Sequence, residues 1–356
     1  MSIYFLSEKN FDKMLSKLMK KYLVIAPQLF GDVIEYSTLK KVEDLNMGFI
    51  RTKNGIKRFL FPQIETVYEI VSIEDKYSVK TLKSDQQQRI IFGARSCDAY
   101  AIYQQSMVFN NEFSDSLFEN KNRNTLLIVM NCIKPGEYCF CTSMGTGPFA
   151  RERYDLELTP IINGYLIESS TEKGATLLQE LDHFLTVAPI NQQKEKETQY
   201  KETITRFSRY YDISKINRIS EQDFDSPKWE KVGASCIECG GCVYTCPTCT
   251  CFDLLDTRFI DSEGVEHIRV WDTCLFSSFS RMAGGITPRK TLGEKYRQRT
   301  LKKLNFTKSW YDCHHCVGCG RCIEGCPGDI GIDKGILTMI NFNTNSQEQR
   351  NRSQEK

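Results

Sequence analysis

The stretch CIECGGCVYTCPTCTC, residues 236–251, holds six of the chain's 16 cysteines. The first four are separated by two, two and three residues, and a proline follows the fourth. The same spacing and the same proline return in CVGCGRCIEGCP, near the carboxyl end of the chain. These eight motif cysteines are Cys236, Cys239, Cys242 and Cys246, then Cys316, Cys319, Cys322 and Cys326. Both runs match C-x2-C-x2-C-x3-C-P, the pattern of bacterial ferredoxins, and therefore predict two [4Fe–4S] clusters.

The spacing also predicts how the ligands divide between the clusters. Three thiolates two residues apart on a tight, glycine-containing loop can bind three irons of one cubane. In two-cluster ferredoxins the fourth cysteine binds the other cluster. We therefore expect site I to consist of Cys236, Cys239, Cys242 and Cys326, and site II to consist of Cys316, Cys319, Cys322 and Cys246. Structural zinc, the alternative, uses paired C-x2-C knuckles and explains neither the third cysteine at the same step nor the repeated Cys-Pro ending.

The segment between the motifs, residues 247–315, is too long for a compact bacterial ferredoxin with its short repeat. It contains FDLLDTRF, LFSSFSRMAGG and LGEKYRQRTLKKL, which are mostly helical in pattern. We therefore predict a helical dicluster ferredoxin-like domain over residues 232–340. For the whole chain we expect the α+β class, with a mixed α/β domain in front of this one.

The first 190 residues carry the pattern of that mixed α/β domain. Phe11, Leu15 and Leu18 recur at helical spacing, and Ser7 is the expected N-cap. YLVIAP, RIIFG and TLLIVMN are short apolar runs typical of buried strands, and DAYAIYQQSMVF, between the last two, is helical in character. Strand, helix and strand predict a parallel pair joined by a crossover. A charged linker or helix at 191–231 and a disordered polar tail at 341–356 complete the predicted division.

Charge, hydropathy and cysteine usage exclude several classes of protein. The chain has 47 Lys and Arg against 45 Asp and Glu, so no global field favours nucleic acid or an anionic membrane. Its apolar runs are far shorter than the roughly 18 residues of a membrane-spanning helix, and its first residues show no signal peptide. A secreted disulfide scaffold would be short and would carry an export signal. The cysteines of this long chain therefore indicate metal or redox chemistry in the cytoplasm.

The cysteines outside the motifs indicate a further site less strongly. Two of them each follow the carboxyl end of a predicted parallel strand, a rim where α/β proteins place sites, and two more could reach the same rim. These four are Cys97, Cys132, Cys139 and Cys141. They predict a metal or redox site, with buried structural thiols as the alternative. Cys249, Cys251 and Cys274 are expected to pack near the clusters without binding iron, and Cys313 is expected to be dispensable.

Three other features carry weaker signals. The segment GTGPFA at 145–150 formally matches G-x-G-x-x-A, but no clear strand precedes it and its proline interrupts, so we expect an ordinary turn. Residues 289–303 are strongly basic, which is typical of a solvated helix face. Such a run could also offset cluster charge or dock an acidic partner. His314 and His315 lie among the ligands, yet eight cysteines already complete two cubanes, so neither is expected to bind iron.

Several segments occur in an order that resembles a known family. They are IIFGARSCDAYAI, NCIKPGEYCFCTSMGTGP, CIECGGCVYTCPTCTC, WDTC followed by RMAGG, and CVGCGRCIEGCP. This order resembles the iron–sulfur electron-transfer subunits of anaerobic sulfite reductase and of cytoplasmic sulfhydrogenase, where it is the beta subunit. WDTC and YRQRTLKKL look closer to the hydrogenase type. The resemblance implies two [4Fe–4S] clusters on the eight motif cysteines. These would relay electrons between a subunit that binds FAD and NAD(P) and a catalytic subunit that carries sirohaem or nickel–iron.

The sequence thus predicts an electron-transfer subunit of a cytoplasmic oxidoreductase complex. It shows no general acid, nucleophile or open metal site, so the substrate chemistry is assigned to a partner. One rival hypothesis is a self-sufficient reductase with a third site built from the four cysteines of the N-terminal domain. Another is an iron–sulfur regulator that binds nucleic acid through the basic run, which the near-neutral charge balance disfavours.

Overall fold

A computed structural model describes residues 3–73, 76–81, 85–216, 221–259 and 264–342. The chain forms two compact units, and each is assembled from separate segments. The first unit contains Met1–Phe61, Ser84–Tyr210 and Val317–Cys319, whereas the second contains Pro62–Lys83, Tyr211–Cys316 and Gly320–Lys356. The second unit therefore includes a segment, Pro62–Lys83, that lies far from the cysteine motifs in sequence. Among the described residues no helix is long and apolar enough to span a bilayer.

The elements are numbered in chain order. The strands are β1 (Tyr4–Ser7), β2 (Leu23–Phe30), β3 (Val33–Thr38), β4 (Ile64–Ile73), β5 (Lys76–Thr81), β6 (Arg89–Ala94), β7 (Thr125–Met130), β8 (Leu156–Ile161), β9 (Gly164–Ser169), β10 (Leu185–Val187), β11 (Phe252–Arg258) and β12 (Gly264–Trp271). The helices are α1 (Glu8–Lys21), α2 (Ser96–Phe109), α3 (Ser116–Arg123), α4 (Cys141–Met144), α5 (Glu172–Glu180), α6 (Ile190–Thr205), α7 (Glu221–Phe224), α8 (Lys228–Gly233), α9 (Gly241–Tyr244), α10 (Leu292–Leu301), α11 (Thr307–Tyr311), α12 (Arg321–Glu324) and α13 (332–342).

The first unit is built on a mixed sheet with the strand order β10-β1-β9-β8-β7-β6-β2-β3. Neighbouring strands pair in parallel from β2 through β6 and β7 to β8, and the remaining pairs are antiparallel. Every residue of β6 and β7 is buried, as expected for parallel strands covered on both faces. The chain passes from β6 to β7 through α2 and α3, which confirms the predicted parallel pair and its helical crossover.

The predicted amphipathic helix is α1. Phe11, Leu15 and Leu18 lie on its buried face and belong to the same apolar core as Ile90 of β6 and Ile128 of β7. Lys20 and Lys21 fall in the last turn, where cations interact favourably with the helix dipole. The residue before the helix is Ser7, as predicted, but its side chain makes no capping hydrogen bond.

The second unit contains a four-stranded antiparallel sheet with the order β11-β12-β4-β5. The prediction that FDLLDTRF is helical is wrong, because β11 pairs along its whole length with β12. All side chains of β11 are exposed, so no buried face imposes the alternation that marks a strand in sequence. LFSSFSRMAGG is not α-helical either, since it forms turns and a short 3-10 segment at Ala283–Gly285. The second unit thus combines a sheet with short helices.

The segment LGEKYRQRTLKKL is helical, as predicted. A capping box begins α10, in which Thr291 Oγ1 accepts a hydrogen bond from the Glu294 N–H and the Glu294 carboxylate accepts one from the Thr291 N–H. The helix continues as a π-helical segment at Lys302–Phe306 and then as α11. Single π-helical turns occur frequently at functional sites. Residues 343–356 of the predicted tail lie outside the described part of the chain.

Candidate metal centre

The two cysteine motifs adopt the same local backbone conformation. In the first motif Glu238 and Gly240 have positive φ angles of 53° and 71°, and in the second Gly318 and Gly320 have φ angles of 62° and 74°. Gly240 and Gly320 are the N-caps of α9 and α12, respectively. The left-handed conformation, which favours glycine, therefore recurs at matching positions of both motifs. The repeat seen in the sequence is also a repeat of local structure.

The end of each motif contacts the beginning of the other. Thr248 follows the last cysteine of the first motif by two residues, and its hydroxyl donates to the carbonyl oxygen of His315 (2.6 Å), directly before the second motif. Gly328 follows the last cysteine of the second motif by two residues. A Cβ atom there would collide with the carbonyl oxygen of Ser235, directly before the first motif. The two motifs are thus joined in a reciprocal, crossed arrangement.

The predicted site I cysteines lie together in the second unit. Burial raises the pKa of Cys236, and the thiols of Cys326 and Cys239 add to the increase. Burial also raises the pKa of Cys242 to about 11, against a lowering effect of Arg299. Thiols with raised pKa values release protons when they bind a metal, because the thiolate is the ligand.

Backbone N–H groups point at two of the site I sulfurs. The N–H of Glu238 donates to Cys236 Sγ, and the N–H of Ile330 donates to Cys326 Sγ, both at 3.4 Å. Such hydrogen bonds stabilise a thiolate and are one means by which proteins tune cluster potentials. Cys239 is exposed, so site I reaches the protein surface at this residue.

Three of the predicted site II cysteines, Cys246, Cys316 and Cys322, are buried in the second unit. A hydrogen bond from the Cys249 thiol lowers the pKa of Cys246 well below its ordinary value, and the charge of Lys303 lowers it further. The fourth predicted ligand, Cys319, falls in the segment that groups with the first unit. The ligand sets as wholes therefore stay predictions.

Two buried cations lie among the thiols of the second unit. Arg299 is 2% exposed and Lys303 is 5% exposed. Burial alone lowers the pKa of Arg299, but surrounding cysteines raise it well above its ordinary value; they are Cys242, Cys322, Cys249 and Cys246. The same opposition acts on Lys303, whose raised pKa reflects Cys246, Cys249 and Cys316. The prediction of a solvated helix face for the basic run is wrong at these positions, because the helix turns them inward.

The guanidinium of Arg299 tests whether these surroundings fit a cluster. Its Nη2 donates to the carbonyl oxygen of Cys242 (3.4 Å), whereas its Nε and Nη1 have no hydrogen-bond partner. A buried charge is expensive unless an opposite charge accompanies it. Neutral thiols supply no such charge, but the thiolates and sulfides of a cubane do. The residues around Arg299 therefore fit a thiolate-bound iron–sulfur cluster.

The remaining cysteines of the second unit pack as expected. Cys249, Cys251 and Cys274 are buried in one cluster with Cys246. The first three of these also line a small enclosed cavity of about 20 Å³, together with Arg299, Lys302 and Lys303. This position next to Cys246 agrees with the prediction that they pack near the clusters.

The four further cysteines of the first unit come together at the expected rim. Cys97 and Cys132 follow β6 and β7, and Cys139 Sγ donates to the carbonyl oxygen of Cys319 (3.7 Å). Burial raises the pKa of Cys141 well above its ordinary value, and Cys132, Cys139 and Cys319 add to the increase. Cys97 packs in one apolar cluster with Cys319. We call these five residues the first-unit thiol group.

The weaker candidates have structural roles. The segment GTGPFA follows α4, whose last turn is closed by Gly145 with a φ of 69°, so the expected turn is confirmed. His314 Nδ1 lies 2.9 Å from the carbonyl oxygen of Leu304. Burial lowers the pKa of His315 to about 3, so its ring is neutral, and the ring stacks on Tyr311. Among the described residues, no three or more His, Cys, Asp or Glu side chains are arranged to hold a single metal ion.

Sequence analysis missed Thr248 and did not separate Arg299 and Lys303 from their basic neighbours. These two cations are four residues apart, which places them on one face of a helix. That spacing was the only signal available. It could not identify the buried face, because Lys295, Arg297 and Lys302 put positive charge on the other positions as well.

Known proteins with similar sequences agree with this site. Residues 235–330 match the family described as 4Fe-4S dicluster domain. The chain is similar to the sulfhydrogenase 2 subunit beta of Pyrococcus furiosus, with 27% identity over 329 residues, 91% of this chain and 94% of that protein. It is also similar to the F420-dependent formate dehydrogenase subunit beta of Methanocaldococcus jannaschii, with 24% identity over 170 residues, 47% of this chain and 36% of that protein. No solved structure matches the chain.

The matches confirm the resemblance to a family of iron–sulfur subunits. Both relatives are named as subunits of oxidoreductases, and the dicluster domain coincides with the two motifs. Together they support an iron–sulfur subunit that carries electrons within a larger oxidoreductase.

Proposed function

We propose that this chain relays electrons through two [4Fe–4S] clusters, at sites I and II, within a cytoplasmic hydrogenase complex of the sulfhydrogenase type. Cys236, Cys239, Cys242 and Cys326 hold one cluster, and Cys316, Cys319, Cys322 and Cys246 hold the other. A partner subunit binds FAD and NAD(P), and another carries the nickel–iron centre. The alternative assembly is a dissimilatory anaerobic sulfite reductase, in which this chain is the iron–sulfur subunit and the catalytic partner carries sirohaem.

The reciprocal contact between the two motifs is the observation that carries this proposal. A shared ligand set, in which each motif sends its last cysteine to the other cluster, requires the end of each motif to lie beside the start of the other. The Thr248–His315 hydrogen bond and the close approach of Gly328 to Ser235 supply both halves of that requirement. Paired zinc knuckles would need neither.

The side chains of this unit have clear tasks in such a relay. When bound, each cluster supplies a one-electron redox centre. Buried cysteines exclude water from site II, and the exposed Cys239 brings site I to the surface, where a partner can approach. Arg299 places a buried positive charge beside thiols of both sites, namely Cys242 of site I and Cys246 of site II.

Metal analysis of the anaerobically purified chain tests the proposal. Two cubanes require about eight irons and eight acid-labile sulfides per chain. Cys326→Ser should lower the iron content by up to half, whereas the matched control Cys313→Ser should leave it unchanged. Zinc without acid-labile sulfide would refute the proposal.

Native purification identifies the complex. A flavoprotein and a nickel–iron protein should co-purify with the chain under anaerobic conditions. A sirohaem protein in place of the nickel–iron protein would support the sulfite reductase assembly and overturn the hydrogenase one.

The first-unit thiol group favours a second candidate, a self-sufficient reductase with a third redox site. Its support is the mutual proximity of Cys132, Cys139, Cys141 and Cys319, shown by their combined effect on the pKa of Cys141. Iron clearly above eight per chain, which falls in Cys139→Ser, together with substrate turnover by the isolated chain, would support this candidate. Iron unchanged by that substitution would exclude it.

A further inference from the structure

Sites I and II differ in the charge placed next to their sulfurs. At site I the sulfurs of Cys236 and Cys326 receive neutral backbone N–H donors. The nearby Lys295 is paired with Glu238, so its charge is cancelled locally. At site II the donor beside Cys246 is a hydroxyl, that of Thr248, at 3.3 Å from Sγ. That hydroxyl is in turn bonded to a buried cation.

The cation is Lys303, and its contacts form a short relay. Its Nζ donates to Thr248 Oγ1 (2.7 Å) and to the carbonyl oxygen of His315 (3.2 Å). When Cys246 is a metal-bound thiolate it can only accept a hydrogen bond, so the Thr248 hydroxyl must donate to Cys246 Sγ. Lys303 then satisfies both the hydroxyl oxygen and the His315 carbonyl. The positive charge is thereby coupled to the Cys246 sulfur through one hydroxyl group.

Among the described residues neither Lys303 nor Arg299 forms an ion pair with a carboxylate, and sulfurs dominate the groups around both. Arg299 lies one helical turn before Lys303 and is close to thiols of both sites, whereas the motif thiols near Lys303, Cys246 and Cys316, belong to site II alone. A reduced cluster carries one more negative charge than an oxidised one. A fixed, buried cation therefore stabilises the reduced form, and more strongly in the low-dielectric interior than in water.

We propose that Lys303, acting through Thr248 on the Cys246 sulfur, holds the site II cluster at a higher reduction potential than the site I cluster. Lys303 and Thr248 are positioning residues, since they act through a ligand and do not bind iron. An electron that enters at the exposed site I then passes on to site II. The inference rests on the proposed function, because it requires both clusters.

A redox titration followed by EPR tests the inference. The two midpoint potentials are first assigned with Cys322→Ala, in which the site II signal should be lost and the site I signal retained. Lys303→Met removes the charge at similar length and should lower only the site II midpoint. We expect at least a tenfold change in the ratio of reduced to oxidised cluster at fixed potential, which is 59 mV for a one-electron couple. Lys303→Arg keeps the charge and should retain most of the wild-type value.

Thr248 provides an independent pair of variants, which keeps the test decisive if Lys303→Met fails to fold. Thr248→Val removes the hydroxyl and should lower the same midpoint, whereas Thr248→Ser restores the hydroxyl and should restore the midpoint. The control is Arg297→Gln on the same helix, because Arg297 bonds Phe224 and Asp225 instead of the motif thiols. Arg299→Gln should lower both midpoints.

The outcomes separate the two proposals. If the wild-type chain lacks eight irons, the proposed function fails. If iron and sulfide are complete in the Lys303 and Thr248 variants but the site II midpoint is unchanged, or both midpoints move equally, the inference is wrong and the proposed function stands.

Discussion

At the scale of single residues, the left-handed positions of the two motifs are not equivalent. Glu238 occupies one of them in spite of its side chain, and its carboxylate is bonded by the buried Lys295. Gly318, at the matching position of the second motif, has no room for a side chain. A Cβ atom there would lie 2.6 Å from the carbonyl oxygen of Phe140. The requirement for glycine is therefore both conformational and steric at Gly318.

Gly318→Ala should therefore destabilise the chain more than an alanine at an open left-handed glycine. The backbone conformation alone costs about 1–2 kcal/mol, and overpacking adds about 1–3 kcal/mol. Gly284→Ala is the matched control, because Gly284 has a φ of 78° and nothing within 4 Å of a Cβ atom. Urea unfolding followed by circular dichroism measures both. Equal losses in the two variants would show that the contact with Phe140 does not matter.

At the scale of elements, the sheet of the second unit depends on an ion pair between strands that are remote in sequence. Arg269 of β12 and Glu65 of β4 lie 2.5 Å apart, and their side chains are 4% and 8% exposed. On the same strand β4, Glu69 pairs with Lys80 of β5, but the Lys80 side chain is 65% exposed. Burial should make the first pair far more sensitive to the loss of one partner than the second.

Arg269→Met should lower the free energy of unfolding by about 3–5 kcal/mol, because it leaves Glu65 buried without its cation. Lys80→Met should change it by about 0–1 kcal/mol, since water screens that pair. Chemical denaturation of both variants under identical anaerobic conditions provides the comparison. Similar small effects in both would mean that Glu65 finds another partner or becomes protonated.

Sequence patterns identified some elements well and others not at all. The buried strands β6 and β7 and the helix α1 were predictable, because burial of one face or of both leaves a clear apolar period. The strand β11 was not, since its side chains are all exposed and its partners β12 and β4 are set by tertiary pairing. The cysteine motifs predicted the candidate ligands, but the burial of Lys303 depends on how α10 and the π-helical segment pack.

At the scale of the whole molecule, removal of iron should affect the two units differently. Arg299 and Lys303 would lose the negative charge that balances them, and a buried unpaired cation is strongly unfavourable. We expect anaerobic chelation to increase hydrogen exchange in α10 and in the segments around α9 and α12. The strands β6 and β7, buried in the first unit's own core, serve as the internal control and should keep their protection. Uniform loss of protection across both units would contradict this expectation.

The pairing of β4 with β12 also has a consequence for synthesis of the chain. Glu65 and Arg269 are 204 residues apart, so the hairpin of β4 and β5 leaves the ribosome long before its partner strand exists. At about 5–20 residues per second the delay is on the order of 10–40 s. During that time the open edge of β4 could pair with another nascent chain. The charged side chains along the hairpin, Glu65, Glu69, Lys76 and Lys80 among them, would discourage such pairing, so the hairpin is suited to waiting in solution.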